Sequence, residues 1–329
     1  NGFQVGGLGN MVGGTVQGFQ FAGLYNHNRG SLNGFQVAGI NNLVIDTLRG
    51  VQFSGINNVL KGGMKGWQLA GINNLTTRNV DGLQLAGISN IANGDVKLMQ
   101  LAGIVNKGRN VHGVQFSGVM NIASEDIRGL QLAGLVNTGK NVRAFQIAGL
   151  SNIARDTVKG LQISGIFNYA RHTRSSQLAL INYADTASGI PIGIISIVRR
   201  GYHKLELSAN ETVYGNFSIK IGVRRFYNIF TAGVGHRNGD IVWSYGYGIG
   251  TEKPLNQKII FHFDYTGNWV NEGREHRKEL SLLNRLSFNF GRKIGKKVAF
   301  SAGPTINIWL SEWIDGSTGA HLSHLAPYT

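Results

Sequence analysis

The 329-residue chain has 48 glycines, no cysteine and only 15% charged residues, with 32 Lys+Arg against 17 Asp+Glu for a net charge of +15. That composition excludes a disordered chain, a disulfide scaffold and any chemistry that needs a thiolate. The basic excess is shared between residues 1–188 (15 Lys+Arg, 7 Asp+Glu) and the remainder (17 and 10), with no polybasic block, so no nucleic-acid partner is expected and an anionic lipid surface suits the scattered charge better.

Residue 1 already lies in a repeat and no signal peptide is visible, so the natural chain is expected to begin upstream. A unit such as Gly82-Leu83-Gln84-Leu85-Ala86-Gly87-Ile88-Ser89-Asn90 recurs about twelve times, its glutamines falling every 16 residues, or sometimes 15, from Gln4 to Gln177. A fixed short period means a repeat architecture, and two glycines per unit oppose helix. The run Val80–Leu85 alternates with period two, as a strand does. Sixteen residues fit one narrow coil of a β-solenoid, two short strands and two turns. Residues 1–188 are therefore expected to form a β-solenoid of about twelve coils.

The copies stack into two side-chain ladders, here represented by Gln36, Gln52, Gln68, Gln84 and Gln131, and by Asn42, Asn58, Asn74, Asn90 and Asn137. The asparagines are expected to satisfy turn backbone groups. Leu83 and Leu85 share one face and are expected to fill the coil, with the glutamines facing out. The inverse assignment, Gln and Ala inward and Phe or Leu outward, would leave a long apolar stripe suited to a membrane or a partner. A third arrangement, one antiparallel barrel strand per copy, sits poorly with identical turns in every copy. The loops between copies, such as Lys107-Gly108-Arg109-Asn110, vary and carry most of the charge.

The unit Gly-x-Gln-x-Ala-Gly-x-x-Asn resembles the surface-repeat family of Gram-negative envelope proteins, over roughly residues 2–182. The resemblance implies an exported protein associated with the outer membrane and implies no reaction. Leu98 departs from the pattern by replacing the leading Gly, and Pro191 stands where a thirteenth Gln would fall.

From residue 189 the pattern changes to longer alternating runs near 190–199, 202–211, 214–225, 227–237, 240–251, 256–267, 278–291 and 296–310. Such runs are long enough to cross a bilayer as tilted strands. Residues 189–329 are expected to form an approximately eight-stranded antiparallel β-barrel, embedded in a membrane. A soluble barrel or sandwich with its apolar face inward is the alternative. The polar face carries Lys220, Arg224, His262, Asp264 and Arg285, which suit a lumen closed by salt bridges, with His262 and Asp264 pairing to Arg224 or Arg285. Tyr202, Tyr214, Phe226, Tyr227, Trp269, Trp309 and Trp313 at strand ends suit interfacial girdles. The polar end 315–321 reads as turn, with His321 and His324 solvated.

Gly246-Tyr247-Gly248-Ile249-Gly250 lacks the strand–turn–helix setting of a dinucleotide fingerprint, and alternating glycines fit a barrel interior. Glu252–Asn256 reads as a connection. No catalytic, metal or cofactor site is expected, and no small-molecule substrate. The chain reads as a non-enzymatic structural or assembly component of the Gram-negative outer membrane. Its expected partners are outer-membrane lipid and other envelope proteins, which would dock on the solenoid. The alternative is a surface adhesin or glycan-binding module.

Overall fold

The computed structural model describes residues 2–237, 240–273, 279–295 and 297–312. Among these there is no helix, and the chain divides into two units, Asn1–Ala184 and Asp185–Thr329. No helix is long and apolar enough to cross a membrane, which says nothing of strands.

The first unit is a β-solenoid of about twelve turns. In one coil a long strand, Val80–Ala86, turns at Gly87-Ile88 into a short strand, Ser89–Ala92. Every strand pairs in parallel with its counterpart one coil away: Val80–Ala86 lies between Met64–Ala70 and Val96–Ala102 with glutamine against glutamine. Long strands thus build one sheet and short strands a second. The parallel pairing rules out one antiparallel strand per copy. Coils of 15 residues lose theirs in the turn: Val96 pairs with Val111 while Gln100 stays opposite Gln115.

The leading glycine is required by the backbone. Gly82 sits at φ +149°, and a Cβ there would lie 1.9 Å from the Gly66 carbonyl oxygen. Leu98, the departure noted above, is held at φ +98°.

The side chains are disposed opposite to the expectation. The glutamines from Gln20 to Gln177 and the asparagines from Asn26 to Asn182 are fully buried. Leu83 is half-buried on the outside, and Leu85 is 40% exposed. The apolar part of the interior is confined to the coil margin, where Leu32, Leu48, Met64, Val80 and Val96 pack against Val44, Leu60 and Ala92. A second cluster, Val111, Ile127, Val142 and Val158, continues this row.

A stack of identical amides explains the inversion. Neighbouring coils lie about 4.8 Å apart, which lets each amide donate to its own copy. Gln52 donates from Nε2 to Gln36 Oε1 at 2.8 Å, and Gln68 donates to Gln52 at 2.8 Å. The asparagines donate the other way along the chain, Asn58 to Asn74 Oδ1 at 2.9 Å and Asn74 to Asn90 Oδ1 at 2.8 Å. From Asn10 to Asn168 each Nδ2 also reaches a corner carbonyl of the next coil, as Asn74 does to Leu85 O at 2.7 Å. The ladder amides from Gln20 to Gln162 and from Asn26 to Asn168 are thereby paired, which is the condition for burying them.

In the second unit the run near 190–199 forms two short strands, Pro191–Ile192 and Ile195–Val198. Neither belongs to the antiparallel sheet, which begins at Tyr202–Ser208. Ser196 is buried, and the Asn228 side chain accepts a hydrogen bond from its backbone N–H at 2.8 Å.

The sheet then meanders through Gly215–Val223, Phe226–Arg237, Asp240–Pro254, Ile259–Glu272 and Ser281–Ile294. Val298–Ala302 and Thr305–Ser311 both pair with Ser281–Ile294, so the eighth expected run is divided in two. The result is a curled, half-barrel sheet. Its convex face is apolar, with Phe217, Ile219, Ile249, Tyr265 and Ile308 exposed. Its concave face carries Ser218, Lys220, Glu252, His262 and Asp264, all buried. The strand Asp240–Pro254 runs through the segment expected to be a connection. Trp313, residues 315–321 and His324 lie outside the described residues.

Candidate functional site: a polar lumen and an apolar stripe

Alternation places one face of each antiparallel strand in the concavity, where a groove of ≈1550 Å³ is lined by Lys204, Glu206, Lys220, Glu252, His262 and Asp264 among others. Lys220 Nζ lies 2.7 Å from both Glu206 and Asp264. Asp264 also accepts a 2.6 Å hydrogen bond from the Tyr227 hydroxyl. Glu252 accepts from the Tyr202 hydroxyl at 2.7 Å and pairs with Lys204. The Tyr202 and Tyr227 rings stack with centroids 4.7 Å apart. Gly250 makes room for this arrangement, since a Cβ there would lie 2.0 Å from Asp264 Oδ1 and 2.4 Å from the Tyr227 ring.

Of the five residues expected in the lumen, Lys220, His262 and Asp264 are brought together. Arg224 is an exposed neighbour, its Nε 3.6 Å from Glu252. Arg285 bonds elsewhere, to Asn307 at 2.9 Å, Asn210 at 3.0 Å and Thr212 at 2.7 Å. His262 faces Glu252 at 3.8 Å, and Asp264 pairs with Lys220, so neither takes the arginine partner expected for it.

Tyr202 and Tyr227 are buried lumen residues and not girdle residues, and Trp309 packs against the internal cluster of Val213, Val242, Val270 and Leu283. Lys204, Glu206 and Glu252 were missed. Glu252 has the same parity as Ser244 and Gly250, a signal obscured by its place beside Pro254. The arrangement chemically balances carboxylates against cations around paired phenols. Among the described residues, no group of three or more His, Asp or Glu side chains is placed to hold a metal ion.

The solenoid presents a different kind of site. Three outward columns run along it: the residue before each glutamine, the residue after it, and the corner residue that Ile88 typifies. From Phe3 to Ile166, through eleven copies, every position in these columns is apolar. Phe19, Trp67, Leu85, Ile88, Ile104 and Phe116 are among those exposed. At a strand spacing of about 4.8 Å and a rise of about 3.3 Å per residue, the stripe measures roughly 50 by 15 Å. That exceeds the ~300–600 Å² of the largest apolar patch on a typical monomer.

Charge is kept to the opposite margin. A row three residues before the glutamines holds exposed Arg49, Lys65, Lys97, Arg128, Arg143 and Lys159, with Asp81 its one acid. The adjoining turns carry ion pairs such as Arg109–Asp95 at 3.1 Å and Lys140–Glu125 at 2.8 Å. Burial alone would raise the Asp95 carboxyl, but the Asn110 amide and the Arg109 guanidinium outweigh it and hold the group below the usual carboxylate range.

The chain matches no family model, no curated protein and no solved structure.

Proposed function

We propose that this chain is a non-enzymatic structural or assembly component of the Gram-negative outer membrane, the curled sheet serving as its membrane anchor and the solenoid as its docking surface. The observation that carries this reading is the inverted polarity found separately in each unit. The solenoid buries amide ladders and exposes Phe, Leu and Ile, and the sheet buries an ion-pair network and exposes Phe217, Ile219, Ile249 and Ile308. Water selects against such surfaces, and lipid or an apolar partner selects for them. The resemblance of the repeat supports the outer-envelope placement. The sheet strands of 9 to 15 residues between Gly215 and Ile294 have the length a tilted membrane strand needs. The variable charged turns, on a regular scaffold, are the places for protein contacts.

Fractionation of the native protein tests this. Outer membranes are washed with carbonate and high salt, and intact cells are shaved with protease. Retention after washing is expected. Release by carbonate contradicts membrane anchoring. Cleavage of the turns from outside would move the task towards adhesion or glycan binding, whereas protection favours assembly with envelope partners.

A further inference from the structure

The apolar stripe poses a question that an anchor elsewhere in the chain does not answer, namely what covers it. We propose that its occupant is a lipid leaflet: the solenoid lies along an anionic membrane surface with its Gly-Ile corner in the acyl boundary and its Arg/Lys row at the headgroups. This rests on the membrane-associated reading above and names the surface that the solenoid itself contacts.

Three observations select lipid. The first is chemical uniformity. In eleven copies the stripe exchanges Phe19, Phe35, Val51, Trp67, Leu83 and Met99 in one column without a polar residue. A protein partner fits defined shapes and polar contacts, whereas a fluid leaflet asks only for hydrophobicity.

The second is backbone satisfaction at the corner. Ile88 N–H donates to Ile72 O at 2.9 Å, and Ser89 N–H donates to the same oxygen at 3.1 Å. The Leu85 carbonyl, next to the turn, is taken by Asn74 Nδ2 at 2.7 Å. A loop entering hydrocarbon must leave no N–H or C=O without a partner, and the internal asparagine ladder meets that condition from the dry side.

The third is charge complementarity. The row of Arg49, Lys65, Lys97, Arg128, Arg143 and Lys159 parallels the stripe, two residues along the strand from its edge. Two residues of strand span about 7 Å, within reach of the ~5–10 Å over which an interfacial element passes from acyl boundary to headgroups. Long basic side chains extend further still by snorkelling.

These 329 residues contain no cysteine, so single probes can be placed in the chain. Ile56→Cys, Ile88→Cys and Asn93→Cys are each labelled with an environment-sensitive fluorophore. The protein is then reconstituted with phosphatidylcholine vesicles containing phosphatidylglycerol, and with vesicles of phosphatidylcholine alone. A nitroxide carried on the lipid tails should quench the two corner probes at least about threefold more than the probe at Asn93, at the opposite turn. Replacing Lys65, Lys97 and Arg128 by Gln should weaken corner insertion, by roughly fivefold per charge, in the anionic vesicles only.

The proposal is overturned if the corner probes are quenched by aqueous iodide and not by the lipid nitroxide. It is also overturned if they are shielded from both in a way that depends on protein concentration, since a second copy then covers the stripe. If the protein floats with the vesicles while its corner probes stay in water, the lipid-bound solenoid falls and the anchored reading stands. If it does not float at all, both fall.

Discussion

Gln52 sits at the centre of the account at the scale of a single residue. It gives one hydrogen bond to Gln36 and takes one from Gln68, both at 2.8 Å, with no exposure to solvent. Gln52→Leu would strand an acceptor on one neighbour and a donor on the other, at ~1–3 kcal/mol each. A loss of about 2–5 kcal/mol in denaturant unfolding is expected, against under about 1 kcal/mol for Leu85→Ser on the outside. The reverse ranking would show that the leucines are the core. Leu98 gives a test of the opposite sign: it holds φ +98° where most other copies have Gly, so Leu98→Gly should stabilise by up to about 1 kcal/mol. Asp95 supplies a pH dependence. Its depressed folded value makes its contribution present above the unfolded carboxylate range and lost as pH falls through the folded value. Asp95→Asn should therefore flatten the acid limb of a stability–pH curve and leave the alkaline limb alone. The repeat and its ladders were legible in the sequence, and which face was inside was not, because alternation has no sign. A signal was present nonetheless. Gln and Asn never change size from copy to copy, while the flanking column runs from Val51 to Trp67, and only the outside of a tightly stacked coil tolerates that range.

At the scale of the element, register is what the strands defend. A coil of 15 residues drops one from its turn and keeps glutamine opposite glutamine. Deleting Gly94 should convert a longer turn into the shorter type already present at Arg109-Asn110, at a cost of about 1–2 kcal/mol. Deleting Leu83 shifts the parity of the Val80–Ala86 strand and turns its amide outward, so loss of cooperative folding is expected. Circular dichroism melts separate the two outcomes. In the curled sheet the comparable element is the Lys220 ion-pair cluster. Lys220→Met leaves Asp264 and Glu206 without their cation and should cost about 3–5 kcal/mol, and Asp264→Leu in the same chain should recover part of that. The strands of this sheet were legible from their alternation. The partners were not, because parity names the face and curvature decides who meets across it: Asp264 reaches Lys220 and Tyr227, and Arg285 reaches Asn210. The run near 190–199 misled for a related reason, since Ile195–Val198 alternates like a barrel strand while keeping the buried pattern of a solenoid strand.

At the scale of the whole molecule, each unit buries a polar network, the amide ladders in one and the Lys220 ion-pair cluster in the other, and carries a row of apolar side chains on its outside. That one property supports the membrane reading, the lipid-facing stripe and the assignment of the variable turns to other partners. It has no parallel in the composition, which is ordinary in hydrophobic content at 42%. The most direct test is a cysteine scan of 83–90 in the chain in membranes, using a water-soluble and a lipid-soluble thiol reagent. Cysteines at Gln84, Ala86 and Asn90 should resist both reagents, while those at Leu83, Leu85 and Ile88 should react, the last two most readily with the lipid-soluble one. Reactive positions at 84 and 90 with protected ones at 83 and 85 would mean that the leucines fill the coil, and the account would be wrong.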